Sequence, residues 1–198
     1  MVPGGVGNSA RGHYSFAAGF QAKANHTGSF VWADFWGVLP APDFVSTADN
    51  QFSVRASGGV RFVTVIDGFT SNPVIGATLA PGGESWGTIS DRNAKKNFHP
   101  VDGQAVLEKL ARMPVQRWNY KCEDDQSTPH LGPMAQDFKA AFFPGRDDKV
   151  ITTLEFDGVE LAAIQGLNQK LEAEAKAKDA RIAALEQRLS ALETLLQK

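Results

Sequence analysis

Cysteine, one-sided charge and long apolar runs are all scarce in this sequence. A single Cys in 198 residues excludes an internal disulfide framework and any multi-cysteine zinc site. No apolar run approaches ~18 residues, so no segment is expected to span a membrane. The opening Met1-Val2-Pro3-Gly4-Gly5 has neither a basic n-region nor an apolar h-region, so no signal peptide is expected there. Lys and Arg number 20 against 22 Asp and Glu, for a net charge of −2. That balance gives no drive toward phosphate backbones, and no nucleic-acid partner is expected. His13 and His26 have no Cys, Asp or second His at ligand spacing, so neither metal nor cofactor is expected. Cys122, beside Glu123 and Asp124, lacks the positive neighbours that activate a thiolate.

What is present is sorted along the chain. Of 19 Gly, 14 fall in residues 1–89, a stretch that holds only 9 of the 42 charged residues. From Leu161 onward there is neither Pro nor an aromatic. In the Gly-rich front, Asn8–Gly19 aligns with Ala22–Ala33 at a shift of 14, with Ala10/Ala24, Ser15/Ser29 and Phe16/Phe30 coinciding. A short period of alternating small and apolar residues predicts one strand-turn coil per repeat of a β-solenoid. Two coils bury no core alone, so neighbours must provide it. The pattern resembles the head repeats of trimeric surface adhesins.

An aromatic, Pro-punctuated stretch follows, with Trp32, Phe35, Trp36, Pro40 and Pro42. Then Phe52, Val54 and Ala56 alternate as a strand, and Gly58-Gly59 turns into a second, Val60–Ile66. Asp67-Gly68 is another turn, and Val74–Leu79 is a third strand. Phe52, Val54 and Phe62 read as core or inter-chain packing.

The composition changes at Ser90-Asp91-Arg92-Asn93-Ala94-Lys95-Lys96. An amphipathic helix is predicted over roughly Gly103 to Met113, ended by Pro114. Val115–Tyr120 alternates as a strand with Trp118 and Tyr120 on one face. The run from His130 to Phe138 is predicted to open a helix with Pro133 at its first position. Met134, Phe138 and Phe142 have core spacing on that helix.

These residues resemble the intramolecular chaperone domain at the C-terminus of phage endosialidase tail spikes and other fibres, found also in a myelin regulatory factor. The resemblance covers residues 90 to about 170. It rests on Ser-Asp-x-x-x-Lys at 90–95, the helix followed by an aromatic strand, Gly-x-x-Ala-Gln-Asp at 132–137, and Asp157-Gly158-Val159 before a heptad pattern. It implies that three copies assemble, that the domain drives folding of the upstream fibre of the same polypeptide, and that the chain then cuts itself. Carried to this sequence, the scissile bond is Ile89–Ser90, with Ser90 the nucleophile and Lys95 the general base. A Ser hydroxyl needs such a base, and a Lys serves when desolvation or a neighbouring cation favours its neutral form. Arg92 and Lys96 are candidate cations. Asp91, Arg92, His130, Gln136 and Asp137 are supporting candidates: His130 for orienting the dyad or the oxyanion, Gln136 and Asp137 for packing or inter-chain hydrogen bonds.

Five residues of regular helix turn through roughly 500°, leaving Ser90 and Lys95 about 140° apart in projection. The pair meets only if the segment is not a regular helix, or if Lys95 comes from another chain.

In the tail, Leu161, Asn168, Ala175, Ile182, Leu189 and Leu196 fall at heptad position a, and Ile164, Leu171, Lys178, Leu185 and Leu192 at d. Nine of these eleven positions are apolar, with no insertion, which predicts a left-handed coiled coil; the alternative is a single amphipathic helix folded back on its own domain. Asn168 and Lys178 read as register devices, and Arg181 and Arg188 at g face Asp179, Glu186 and Glu193 at e. The heptads do not separate dimer from trimer; the resemblance favours a homotrimer.

The expected fold class is mixed. A β-rich solenoid or interleaved trimeric front covers a head-like repeat region (1–45) and a β stalk (46–89). A small α+β chaperone domain (90–160) and a long α-helical coiled coil (161–198) follow. The expected function is trimerisation followed by single-turnover serine self-proteolysis in a virion fibre or bacterial surface protein. The alternative is a structural trimerisation end that does not cleave.

Overall fold

The computed structural model describes residues 1–196 apart from Trp36 and Val38. Trp36 of the aromatic stretch and the last two residues of the heptad segment therefore lie outside the described residues. The architecture is mixed α/β, with small sheets and one long C-terminal helix. Two compact units divide the chain, Met1–Lys96 and Asn97–Lys198.

The first unit begins with seven short strands: β1 (Gly5–Val6), β2 (Ser9–Ala10), β3 (Phe16–Phe20), β4 (Ala22–Ala24), β5 (Phe30–Ala33), β6 (Phe44–Val45) and β7 (Phe52–Arg55). They form two sheets, β1-β3-β5-β7 and β2-β4-β6, with every pairing parallel. Gly5 pairs with Gly19, Ser9 with Lys23 and Phe16 with Phe30, each 14 residues apart. The next step is 22 residues, Ala22 to Phe44 and Phe30 to Phe52, the longer connection lying between Ala33 and Phe44.

In-register parallel pairing stacks like on like. The rings of Phe16 and Phe30 lie 4.6 Å apart at 4°, and those of Phe30 and Phe52 4.7 Å apart at 19°. These separations match the inter-strand spacing, and each stacked pair contributes about 0.5–1.5 kcal/mol beyond its burial. Between the sheets, Ala17, Ala22, Ala24, Val31 and Ala33 are fully buried. Small residues suit so narrow a core. Asn8 ties neighbouring strands together: its Nδ2 donates to the carbonyls of Gly4 and Gly19, and its Oδ1 accepts from the Ala22 amide. Gly5 and Gly19 have φ of +98° and +95°, and a Cβ on them would lie 1.9 Å from the Gly19 carbonyl oxygen and 2.0 Å from that of Ala33, respectively. Positive φ and close approach both demand glycine there.

The alternation over residues 51–57 predicts a hairpin across Gly58-Gly59; the structure differs. β7 continues the parallel sheet beside β5, because Phe52 extends the Phe16–Phe30 stack and Arg55 is held by the first sheet's own loops. The Arg55 guanidinium donates to Asp34 Oδ1 at 3.2 Å and to the carbonyls of Phe20 and Asp34. Burial opposes ionisation of Asp34, but hydrogen bonds from Ser57 and Arg55 outweigh it and hold the carboxyl below its ordinary value. The antiparallel sheet is instead β8 (Val60–Ile66), β9 (Pro73–Leu79) and β10 (Trp86–Thr88), in order β10-β9-β8. Phe62, Val65, Ile66, Phe69, Ile75 and Trp86 on this meander are exposed.

The second unit contains α1 (Gly103–Arg112), β11 (Gln116–Trp118), β12 (His130–Gly132), α2 (Ala135–Phe142) and α3 (Thr153–Leu196). Asp102 caps α1, its carboxylate accepting from the amides of Gln104 and Ala105. Pro133 stands one residue before the α2 cap, Met134, and not at the first helical position. His130 to Gly132 is a strand, and the helix opens at Ala135, two residues after the Pro133 start that the sequence suggests. Phe138 is fully buried, its ring 5.2 Å from that of Phe142, 5.8 Å from Phe143 and 5.7 Å from Phe156. α3 opens with a reciprocal cap: the Glu155 amide donates to Thr152 Oγ1, and the Thr152 amide to Glu155 Oε2.

α1 packs across α3 at a glycine crossing. A Cβ on Gly166 would lie 2.1 Å from the Gly103 carbonyl oxygen, whereas one on Gly158 would meet nothing within 4 Å. Val159, Ala163 and Gly166 are buried, at heptad positions f, c and f. The a and d residues Leu161, Ile164, Leu171, Ile182, Leu185, Leu189 and Leu192 stay 51–62 % exposed. The same substitution therefore has opposite signs on one helix. Gly158→Ala is expected to raise the thermal unfolding temperature through helix propensity, ~1 kcal/mol. Gly166→Ala is expected to lower it through overpacking, ~1–3 kcal/mol. A rise in both would contradict the crossing.

Candidate functional site

The junction segment leaves β10 at Thr88, and the Ile89 amide donates to the Gly76 carbonyl on β9 at 3.1 Å. Ile89 is half-buried and Ser90 exposed. The chain then makes one 3-10 turn, Arg92–Ala94, with Asp91 as its cap. Asp91 Oδ1 accepts from the Asn93 amide at 2.9 Å and from Asn93 Nδ2 at 3.1 Å. The Ala94 amide donates to the Asp91 carbonyl, and the Lys95 amide to that of Arg92. Lys95 returns to extended backbone, φ −115° and ψ 155°.

This path settles the spacing problem. The segment is not a regular helix, and Lys95 Nζ donates to Ser90 Oγ of the same chain at 2.5 Å. No second chain is needed to bring the two groups together. Both residues are exposed, as are Asp91, Arg92 and Lys96. A neutral amine at this position would reverse the hydrogen bond and accept the hydroxyl proton.

The remaining supporting candidates belong to the second unit. His130, on β12, pairs with Trp118 of β11. Its ring stacks on Trp118 at 4.6 Å and 22°, and meets Tyr120 edge-on at 5.4 Å. His130 Nε2 lies 3.0 Å from Glu123 Oε1. That hydrogen bond, with a second from the Tyr120 amide, holds the Glu123 carboxyl below its ordinary value. In the sequence Glu123 stands out only as a neighbour of Cys122, since a loop acid reveals its partner only once the strands pair. Gln136 and Asp137 are exposed on the first turn of α2, where Asp137 suits the positive end of the helix dipole. Cys122 is exposed and carries a free thiol.

One polar cluster in the second unit was missed from sequence. Lys139 is 5 % exposed, and its Nζ donates to Glu155 Oε2 at 2.5 Å, while Arg146 donates to Oε1 at 3.1 Å. Thr152-x-x-Glu155 is a capping-box signal that could have flagged it. The Lys139 hydrogen bond leads the causes that lower the Glu155 carboxyl. A group with a lowered folded-state value contributes stability above its unfolded value, and that contribution is lost as pH falls through the folded value. The second unit is therefore expected to lose stability as pH falls below about 4.5, the ordinary value for this carboxyl. Denaturant titrations at stepped pH should show the loss, and Glu155→Gln should flatten it; an unchanged pH profile in Glu155→Gln would contradict this assignment.

Among the described residues, no group of three His, Cys, Asp or Glu could hold a metal ion, and no helix is long and apolar enough to cross a membrane. No curated protein and no solved structure gives a significant match to the chain. Residues 90–145, from the Ser90–Lys95 contact through α1, β11, β12 and α2, match the family model described as chaperone of endosialidase.

Proposed function

We propose that this chain is the C-terminal intramolecular chaperone of a homotrimeric fibre or surface protein, and that it severs Ile89–Ser90 by its own Ser90/Lys95 pair. The observation that carries this reading is the Lys95 Nζ–Ser90 Oγ hydrogen bond at the first residues of the family match. The match supports a chaperone role for residues 90–145, and the peptidase name of that family supports self-cleavage.

The step balances within the chain. Neutral Lys95 takes the Ser90 hydroxyl proton as Oγ attacks the Ile89 carbonyl carbon. The Ile89–Ser90 C–N bond breaks, Lys95 returns the proton to the Ser90 nitrogen, and an Ile89–Oγ ester remains. Water hydrolyses the ester, leaving an Ile89 carboxylate and Ser90 as a new N-terminus. Lys acts as a base only in its neutral form, which burial favours. Ser90 and Lys95 are exposed in the single chain, so we assign their burial to assembly; cleavage then follows trimerisation. Arg92 and Lys96 are the cations nearest in sequence that could add to the effect. In this reading His130 packs on Trp118 within the domain, and Gln136 and Asp137, exposed in the single chain, are left for inter-chain hydrogen bonds.

The parallel sheets with their 14-residue step support reading the front as solenoid coils of an adhesin-like head. The bare faces of the β8–β10 meander support a stalk packed among three copies. The exposed a/d seam supports a coiled coil over 161–198. A fibre on a virion or a bacterial surface is the setting these parts fit.

A time course of the purified chain on a denaturing gel tests the reading. Conversion of one band into fragments 1–89 and 90–198 is expected. A full-length chain that persists in an assembled trimer would leave the non-cleaving structural end as the better description.

A further inference from the structure

A spacing of five residues does not by itself bring a serine and a lysine together, and in regular helix it separates them. The contact exists because the chain makes a single tight turn and then straightens. Asp91 Oδ1 supports that turn from its side chain, accepting from both the backbone and the side-chain nitrogen of Asn93. On the other side of Ser90, the Ile89 amide is fastened to the Gly76 carbonyl. Ser90 is therefore held between a sheet edge and a capped turn, and that turn carries the backbone from Ser90 to Lys95.

We infer that Asp91 is a positioning residue, acting through the Arg92–Ala94 turn to hold Lys95 Nζ on Ser90 Oγ. Its carboxylate works as a cap, not as a charge partner of Lys95. A single 3-10 turn is a short element with poor hydrogen-bond geometry, so losing its cap lets Lys95 sample open positions. Asn has the same acceptor oxygen at the same reach, so Asp91→Asn keeps the turn, whereas Asp91→Ala does not. Asp91 is exposed, so none of these changes disturbs a core.

Two measurements on the full chain test this, and only the second rests on the self-cleavage reading. The first uses Ser90→Cys/Lys95→Cys with Cys122→Ser, a chain without the dyad, and follows disulfide closure between positions 90 and 95 under mild oxidation. Closure is expected to slow about fivefold on adding Asp91→Ala, in line with the loss of one N-cap acceptor, and to stay within about twofold on adding Asp91→Asn. Equal closure rates in all three chains would overturn the inference, whatever the chain does to Ile89–Ser90. The second follows cleavage in otherwise unchanged chains. Asp91→Ala is expected to cleave about fivefold more slowly and Asp91→Asn at close to the parent rate. Slow cleavage in both would overturn the capping role and make the charge the operative feature. If the parent chain is not cut at all, the self-cleavage reading fails while the closure measurement still decides the role of Asp91.

Discussion

Ser90→Ala is expected to leave the chain in one piece under conditions where the parent is fully cut. The proposed reaction has one nucleophile, and a methyl group cannot attack the Ile89 carbonyl. The expected loss is at least ~10³-fold, since nothing else in the segment forms the ester. Lys95→Ala should cost about 10²–10⁴-fold, the usual contribution of a positioned general base. Lys95→Arg should fare no better, because a guanidinium does not deprotonate in proteins. The contact joins Lys95 to Ser90 of the same chain. A trimer mixed from Ser90→Ala and Lys95→Ala chains should therefore show no complementation: each chain lacks one half of its own pair. Cleavage in the mixture would mean that Lys95 acts across chains. A Ser90→Ala chain cut at the parent rate would remove the dyad altogether.

The second large effect is expected at the seam of α3. Leu185, at position d, is 51 % exposed in the single chain. In an isolated helix, Leu185→Asp would cost little, and solubility would improve. In a three-stranded core it would place three carboxylates together away from water, at a cost of several kcal/mol per assembly. The expected result is a drop in native mass from three chains to one. Because the burial that activates Lys95 is assigned to assembly, cleavage should fall with it. The face of α3 against α1 uses Val159, Ala163 and Gly166, so the substitution leaves the second unit's own packing untouched. A native mass unchanged by Leu185→Asp would contradict a core at this position.

The sequence was most informative where a pattern repeats and least where partners are distant. Ser15/Ser29 and Phe16/Phe30 already carried the 14-residue offset that became strand register. The third member, Phe52, was hidden because the step lengthens to 22 residues, and alternation does not say which strand a segment will pair with. α1 was legible from its apolar spacing and from Pro114. α2 was displaced because Pro133 suits several positions near a helix start, and the strand pairing of His130 with Trp118 comes from across a loop. At the junction, the residue types were legible from the Ser-Asp-x-x-x-Lys motif, and the path was not. Helical geometry argued against an intrachain contact, and one capped 3-10 turn removes the objection. The Lys139–Glu155 pair was missed because a lysine with 5 % exposure looks like any other lysine in sequence.

The most direct measurement is the intact mass of the purified chain after assembly, together with the N-terminal residue of any fragment. Two species are expected whose masses sum to the parent plus one water, the smaller ending at Ile89 and the larger beginning with a free Ser90 amine. A single full-length mass from a chain shown to be trimeric, or a cut at any other bond, would contradict it.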